Sequence, residues 1–237
     1  VYESSFYELK SESGDYELQY TTKEIIGVSG NVVPNVFQKD YNNLIMNNDY
    51  LLTGVDVYDG KYLYTDLSRS YIPSENYWSN SGCVGSVYSM ADLHYNKDGS
   101  GPYGVDAKFD LAGAYANASP DIVWGTAAEA LGFDYKAEDI TSENFDSRMN
   151  EINNALDNND IVPIRYTGHS AAIIGAKYDA NGNVMEYIAR DPINRPGRTR
   201  LEIQNINGNR CLYNSDRGRT HGKSKGIVNR IDWLLPR

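Results

Sequence analysis

The sequence predicts an α+β fold, in which a helical region packs on an antiparallel β-sheet and a β-rich segment precedes both. Apolar residues recur at helical spacing from Cys83 to about residue 95, after the capping sequence Asn80-Ser81-Gly82. After residue 160, short apolar runs are joined by turn sequences such as Asp179-Ala-Asn-Gly-Asn. Helices followed by strands that pair with their chain neighbours are typical of the α+β class.

The N-terminal segment, residues 1–66, reads as β structure broken by turn residues. We therefore divide the chain into residues 1–66, an N-terminal β-rich segment, and residues 67–237, the main domain. The sequence leaves three roles open for the first part: a propeptide, an added β module, or extra strands of the same sheet. Its predicted strands cover residues 1–9, 16–22, 50–57 and 61–65.

The main domain begins with helices and ends with strands. Besides the helix at Cys83, helices are expected near 105–116, 120–131 and 142–157. The predicted strands of the sheet are 161–166, 170–178, 183–190, 199–205, 209–214 and 226–235.

Composition and charge restrict the partners. The chain has 237 residues, a net charge of −10 and no run of 18 apolar residues, so we expect no membrane span and no nucleic-acid partner. Residues 190–237 carry 11 Lys/Arg against four Asp/Glu. This basic region either packs on the acidic body or binds an anionic cell-wall polymer. The excess of Tyr, 20 against five Phe, is compatible with a secreted or cell-surface protein.

Cys83 is the candidate nucleophile. It starts a helix, where free N–H groups and the helix dipole favour a thiolate and could also hold an oxyanion. The second cysteine, Cys211, could pair with it in a disulfide. The position of Cys83 favours one reactive thiol and one inert strand residue instead.

His169 is the candidate general base among three histidines. His94 lies eleven residues after Cys83, or roughly 16 Å along the helix, which is too far to contact the thiol. His221 lies in a basic segment that reads as a loop. His169 opens an apolar strand, and a tight turn at 179–182 returns the chain so that Asp191 ends the next strand beside it.

Three short blocks resemble those of papain-like cysteine peptidases. They are Ser81-Gly-Cys-Val-Gly-Ser, Gly168-His169 before an apolar strand, and Arg190-Asp191-Pro192. The pattern resembles the double-glycine leader peptidase family and its stand-alone secreted relatives, with some similarity to streptopain-type peptidases, over about half of the chain. The resemblance implies a papain-like fold and thiol-dependent peptide-bond hydrolysis, with Cys83 as nucleophile, His169 as base and Asp191 as the group that orients it.

Members of that family usually carry a Gln before the Cys, whose amide completes the oxyanion hole. Residues 71–82 contain no Gln, and Asn76 is the first substitute, with Asn80 the second. The expected partner is a peptide or protein substrate, and we expect no cofactor and no metal. Two alternatives stay open: cell-wall peptide amidase, endopeptidase or transglutaminase-like acyl transfer on the same triad, and a catalytically degenerate binding or adhesion domain.

Overall fold

The computed structural model describes residues 1–9, 14–41, 44, 55–58, 61–64, 78, 82–95, 101–111, 124–194 and 198–237. It combines helices with antiparallel strands, so the predicted α+β class is confirmed. The predicted boundary near residue 66 lies outside the described residues. None of the helices in these ranges has the length and apolar character needed to cross a membrane.

Within the described ranges, nine antiparallel strands form one sheet, and two more form a separate hairpin. In chain order the strands are β1 (Tyr2–Leu9), β2 (Tyr16–Glu24), β3 (Val55–Tyr58), β4 (Lys61–Tyr64), β5 (Phe133–Asp139), β6 (Val162–Tyr166), β7 (His169–Asp179), β8 (Val184–Arg190), β9 (Thr199–Ile206), β10 (Asn209–Tyr213) and β11 (Val228–Pro236). The order across the sheet is β10-β9-β8-β7-β6-β11-β5, and β3 pairs with β4 in the hairpin.

Strand β7 is the centre of the sheet and pairs with three strands. β8 lies along one edge, whereas β6 and β2 share the other edge and pair with successive halves of β7. A Cβ at Gly175 would lie 2.2 Å from the carbonyl oxygen of Lys23 in β2. Only glycine therefore allows the N-terminal hairpin of β1 and β2 to join the sheet at this point.

The helices of the described residues pack around this sheet. The first, α1, contacts β7 and α2, and its residues are mostly buried. The N-terminal segment adds Ile25, Val33, Val36 and Leu44 to the same core. The helices are α1 (Cys83–Tyr95), α2 (Gly101–Leu111), α3 (Trp124–Ala130), α4 (Phe145–Asp157) and α5 (Ser215–His221).

Two elements differ in type from the sequence prediction. Strand β5 was not predicted because it is an edge strand with mostly exposed polar residues, which gives no apolar alternation. The basic segment that contains His221 was predicted to be a loop, but it is helix α5. The Asn214 side chain accepts a hydrogen bond from the Arg217 N–H and caps that helix.

Candidate active site

The start of α1 is fixed by a buried tryptophan. Trp78 is fully buried in the core, and its Nε1 donates to Ser86 Oγ at 3.0 Å. A Cβ at Gly82 or Gly85 would come within 2.5 or 2.3 Å of the Trp78 ring, so only glycine allows the ring to lie against both. The Gly82 carbonyl accepts the first helical hydrogen bond, from the Ser86 N–H, and the helix therefore begins at Cys83.

Cys83 is a free, half-buried thiol in the first turn of α1. The first N–H groups of an α-helix have no partner within the helix and carry its positive dipole end. The sulfur also accepts a hydrogen bond from the backbone N–H of Ser170 on β7. Both interactions favour a negative charge on sulfur.

His169 is presented to this thiol by a two-residue turn between β6 and β7. Gly168 occupies the turn with a φ of 71°, a left-handed conformation that glycine adopts without strain. The turn pairs Tyr166 with His169 across the two strands, and their rings stack with centroids 5.9 Å apart. This ring packing fixes the orientation of the imidazole.

Asp191 holds the far side of the imidazole. Its Oδ1 lies 2.7 Å from His169 Nε2, and both residues are 4% exposed. The Ile193 N–H also donates to Oδ1, at 3.1 Å, which fixes the carboxylate within its own turn. Because Nε2 faces Asp191, the other ring nitrogen, Nδ1, is available for the hydrogen bond with the Cys83 thiol.

The charges of this array favour a thiolate beside an imidazolium. Burial acts to lower the pKa of His169, but the hydrogen bonds with Asp191 and Cys83 outweigh it and raise that pKa to about 9. Burial acts to raise the pKa of Cys83, yet the hydrogen bond and charge of His169, with the charge of Arg165, bring it below its usual value. Opposite shifts of this kind stabilise the ion pair over its neutral form.

A stretch of the N-terminal segment supports the loop that carries Asp191. The Gln38 N–H donates to the Pro192 carbonyl at 2.9 Å, and the Asn35 side chain donates to the Asn194 carbonyl at 3.0 Å. Arg190 Nε donates to the Val33 carbonyl at 2.8 Å. Sequence reasoning missed residues 33–38 as part of the site, because no local pattern connects them with a turn more than 150 positions away.

Arg165 was also missed as a neighbour of the thiol. It pairs in register with Ser170, whose N–H contacts the Cys83 sulfur, and its guanidinium lies over the Trp124 ring. The signal in the sequence was a charged residue within the apolar run Ile161-Val-Pro-Ile-Arg-Tyr, since a charge is rarely placed there without a partner.

Three of the remaining candidates, His94, Cys211 and His221, lie apart from this array. Asn76 and Asn80, the two predicted oxyanion donors, are outside the described residues. His94 is buried in the last turn of α1 with its Nε2 2.8 Å from the Asn159 carbonyl oxygen. Cys211 is buried in β10, and burial raises the pKa of its thiol. His221 is exposed at the end of α5.

No group of three or more His, Cys, Asp or Glu side chains within the described ranges could hold a metal ion. In comparisons with known proteins, no protein-family model matched the chain. No curated protein matched its sequence either.

Proposed function

We propose that the chain is a papain-like cysteine peptidase that hydrolyses peptide bonds with Cys83, His169 and Asp191. One observation carries the proposal: a thiol in the first turn of a helix, an imidazole and a buried carboxylate form one hydrogen-bonded array with opposite pKa shifts on the thiol and imidazole. An array of a nucleophile, a base and an orienting group is the arrangement that acyl transfer requires.

In the proposed reaction, the Cys83 thiolate attacks the carbonyl carbon of the substrate and a carbon–sulfur bond forms. The helix N–H groups at Cys83 stabilise the charge on the carbonyl oxygen. The imidazolium of His169 then donates its Nδ1 proton to the leaving amine as the carbon–nitrogen bond breaks. Water, deprotonated by His169, hydrolyses the thioester and restores the thiol, while Asp191 keeps the ring oriented throughout.

The geometry of the array favours acyl-transfer chemistry, whereas the substrate class has to be inferred from other features. We propose a peptide or protein substrate and a secreted or cell-surface protein. The basic C-terminal region supports a second substrate class, a peptide of an anionic cell-wall polymer. Digestion of denatured casein compared with purified peptidoglycan separates the two.

The first test measures the nucleophile directly. We expect iodoacetamide to alkylate Cys83 at pH 6 faster than it alkylates a small-molecule thiol such as N-acetylcysteine, because only the ion pair supplies a thiolate at that pH. His169→Ala should remove this advantage. Hydrolysis should be lost in Cys83→Ala and kept in Cys211→Ala, the matched control at the other free cysteine. A Cys83 no more reactive at pH 6 than the small thiol would refute the proposal.

A further inference from the structure

Arg217 of helix α5 carries a charge that is buried against backbone carbonyls. The residue is 9% exposed and forms no ion pair with a carboxylate in the described part of the chain. Its Nε donates to the Lys225 carbonyl at 3.0 Å, and its Nη2 donates to the Thr167 carbonyl at 3.4 Å. Burying a charge costs free energy unless hydrogen bonds replace the lost water. These two carbonyls therefore keep the guanidinium in place, and the guanidinium in turn ties their segments together.

The Thr167 carbonyl belongs to the turn that presents His169. Thr167 and Gly168 join β6 to β7, and His169 is the next residue. Both turn residues are exposed, so their own side chains contribute little packing that could hold the turn. The hydrogen bond from Arg217 therefore restrains the backbone two residues before the imidazole.

The guanidinium of Arg217 also lies over the ring that stacks with the imidazole. Its Cζ is 5.4 Å from the centre of the Tyr166 ring, and that ring is 5.9 Å from the His169 ring with an angle of 18° between the two planes. Tyr166 is 2% exposed. The side-chain amide of Asn214, the capping residue of α5, donates to the Tyr166 hydroxyl at 3.4 Å. Helix α5 thus contacts Tyr166 both through its cap and through Arg217.

Helix α5 has the fixed position that such a restraint requires. A helix of seven residues is too short to be stable alone, so its packing determines where it lies. Gly218 lies so close to Tyr213 that a Cβ at this position would clash with the tyrosine hydroxyl. The Asn214 N–H donates to the Gly226 carbonyl at 2.8 Å, and Asn214 Oδ1 accepts from the Arg217 N–H at 3.0 Å. These contacts hold α5 against the end of β10.

We propose that Arg217 is a positioning residue for His169, which acts through the Thr167 carbonyl and the Tyr166 ring. The inference rests on the proposed function for the reaction that the imidazole serves. The hydrogen bond between His169 and Cys83 depends on the direction of the imidazole ring. A displacement of about 1 Å at a reacting group can cost about a hundredfold in rate. One charge of the basic C-terminal region thereby serves the site from within the fold.

The first experiment follows the thiol without requiring peptide hydrolysis. Arg217→Met keeps the length of the side chain but removes its donors and its charge. We expect iodoacetamide to alkylate Cys83 at pH 6 roughly tenfold more slowly in this variant. Weakening the contact with His169 raises the pKa of the thiol, and each unit of such a rise lowers the thiolate fraction about tenfold. Arg219→Met is the matched control and should alkylate at the wild-type rate, since it removes the same charge from the same helix at a 77% exposed side chain.

The same variants separate positioning from general stability. The free energy of unfolding of each variant is measured in urea, and alkylation is followed only where the protein is folded. A role in stability alone would lower that free energy and leave the rate at Cys83 unchanged, which would overturn the proposal, as would an equal loss of rate in Arg219→Met. Arg217→Lys decides if Arg217→Met does not fold. An ammonium lacks the planar donors that reach two carbonyls, so its rate should also fall, and a wild-type rate would overturn the proposal.

The second experiment measures hydrolysis of a casein-derived peptide. Arg217→Met should lower kcat by about ten- to a hundredfold and change KM by less than about twofold, because the residue acts on the imidazole and not on the substrate. Slower alkylation in Arg217→Met, with no hydrolysis by the wild type, would keep the positioning role and reject the peptidase. Hydrolysis by the wild type, with kcat and the alkylation rate both unaffected by the substitution, would keep the peptidase and overturn the role of Arg217.

Discussion

Replacing Asp191 with Asn should lower the pKa of His169 by about one to three pH units. The substitution keeps the size of the side chain but removes the negative charge 2.7 Å from Nε2, between side chains that are 5% and 6% exposed. Opposite charges this close change a pKa by about 1–3 units, and burial prevents water from screening them. From its native value of about 9, the pKa of His169 should therefore fall to between about 6 and 8.

An NMR titration of the imidazole resonances measures this change directly. The chain has three histidines, so His94→Gln and His221→Gln assign the signals. Asp216→Asn is the matched control, because it removes a carboxylate that is 81% exposed and paired with Arg219. A fall of less than about half a unit relative to this control would refute the assignment of Asp191 as the group that holds the imidazolium.

The same substitution has a predicted effect on stability, and its sign follows from the direction of the shift. A histidine whose pKa is raised by folding stabilises the fold below its unfolded pKa of about 6.5, and this contribution is lost as the pH rises through the folded value of about 9. The free energy of unfolding should thus be higher in the wild type than in Asp191→Asn, and this difference should be larger at pH 6 than at pH 10 by about 1–4 kcal/mol. Urea unfolding at both pH values measures the difference, and an equal gap at both would contradict the coupling.

Two further predictions concern the helix that carries the nucleophile. Gly85→Ala places a Cβ 2.3 Å from the Trp78 ring and should lower the free energy of unfolding by about 1–3 kcal/mol, whereas Gly125→Ala, whose nearest neighbour is 3.6 Å away, should raise it by about 0.5–1 kcal/mol in urea titrations. Equal effects at the two glycines would show that Trp78 does not fix the helix start. His94→Gln should reduce the decrease in the free energy of unfolding that occurs as the pH falls from 7 to 5. Burial lowers the pKa of His94, so the unfolded chain takes up this proton first as the pH falls through about 6.5 and unfolding becomes more favourable. If the free energy of unfolding falls as steeply in His94→Gln as in the wild type between pH 7 and pH 5, this role of His94 is disproved.

The sequence could predict the elements that carry the candidate triad because their patterns are local. Helical spacing of apolar residues predicts a helix from Cys83, and the structure places α1 at Cys83–Tyr95. The turn at 179–182 makes β7 and β8 neighbours, which implies that His169 and Asp191 lie at the same end. No comparable pattern could identify Arg165 as a partner of the thiol, because its placement depends on register with Ser170 and on an indole 41 positions earlier in the chain.

Local sequence patterns do not predict how the N-terminal segment contributes to the candidate site. Its strands were predictable, but not their attachment to β7, which depends on Gly175 and on the half of that strand that β6 leaves unpaired. This attachment brings residues 33–38 to the turn after Asp191, where the hydrogen bonds from Gln38 and Asn35 reach the turn carbonyls. Removing the segment would expose Ile25, Val33 and Val36 and would leave the Asp191 turn without these donors. The burial and hydrogen bonding of this segment therefore tie the geometry of the Asp191 turn to residues that no local pattern connects with it.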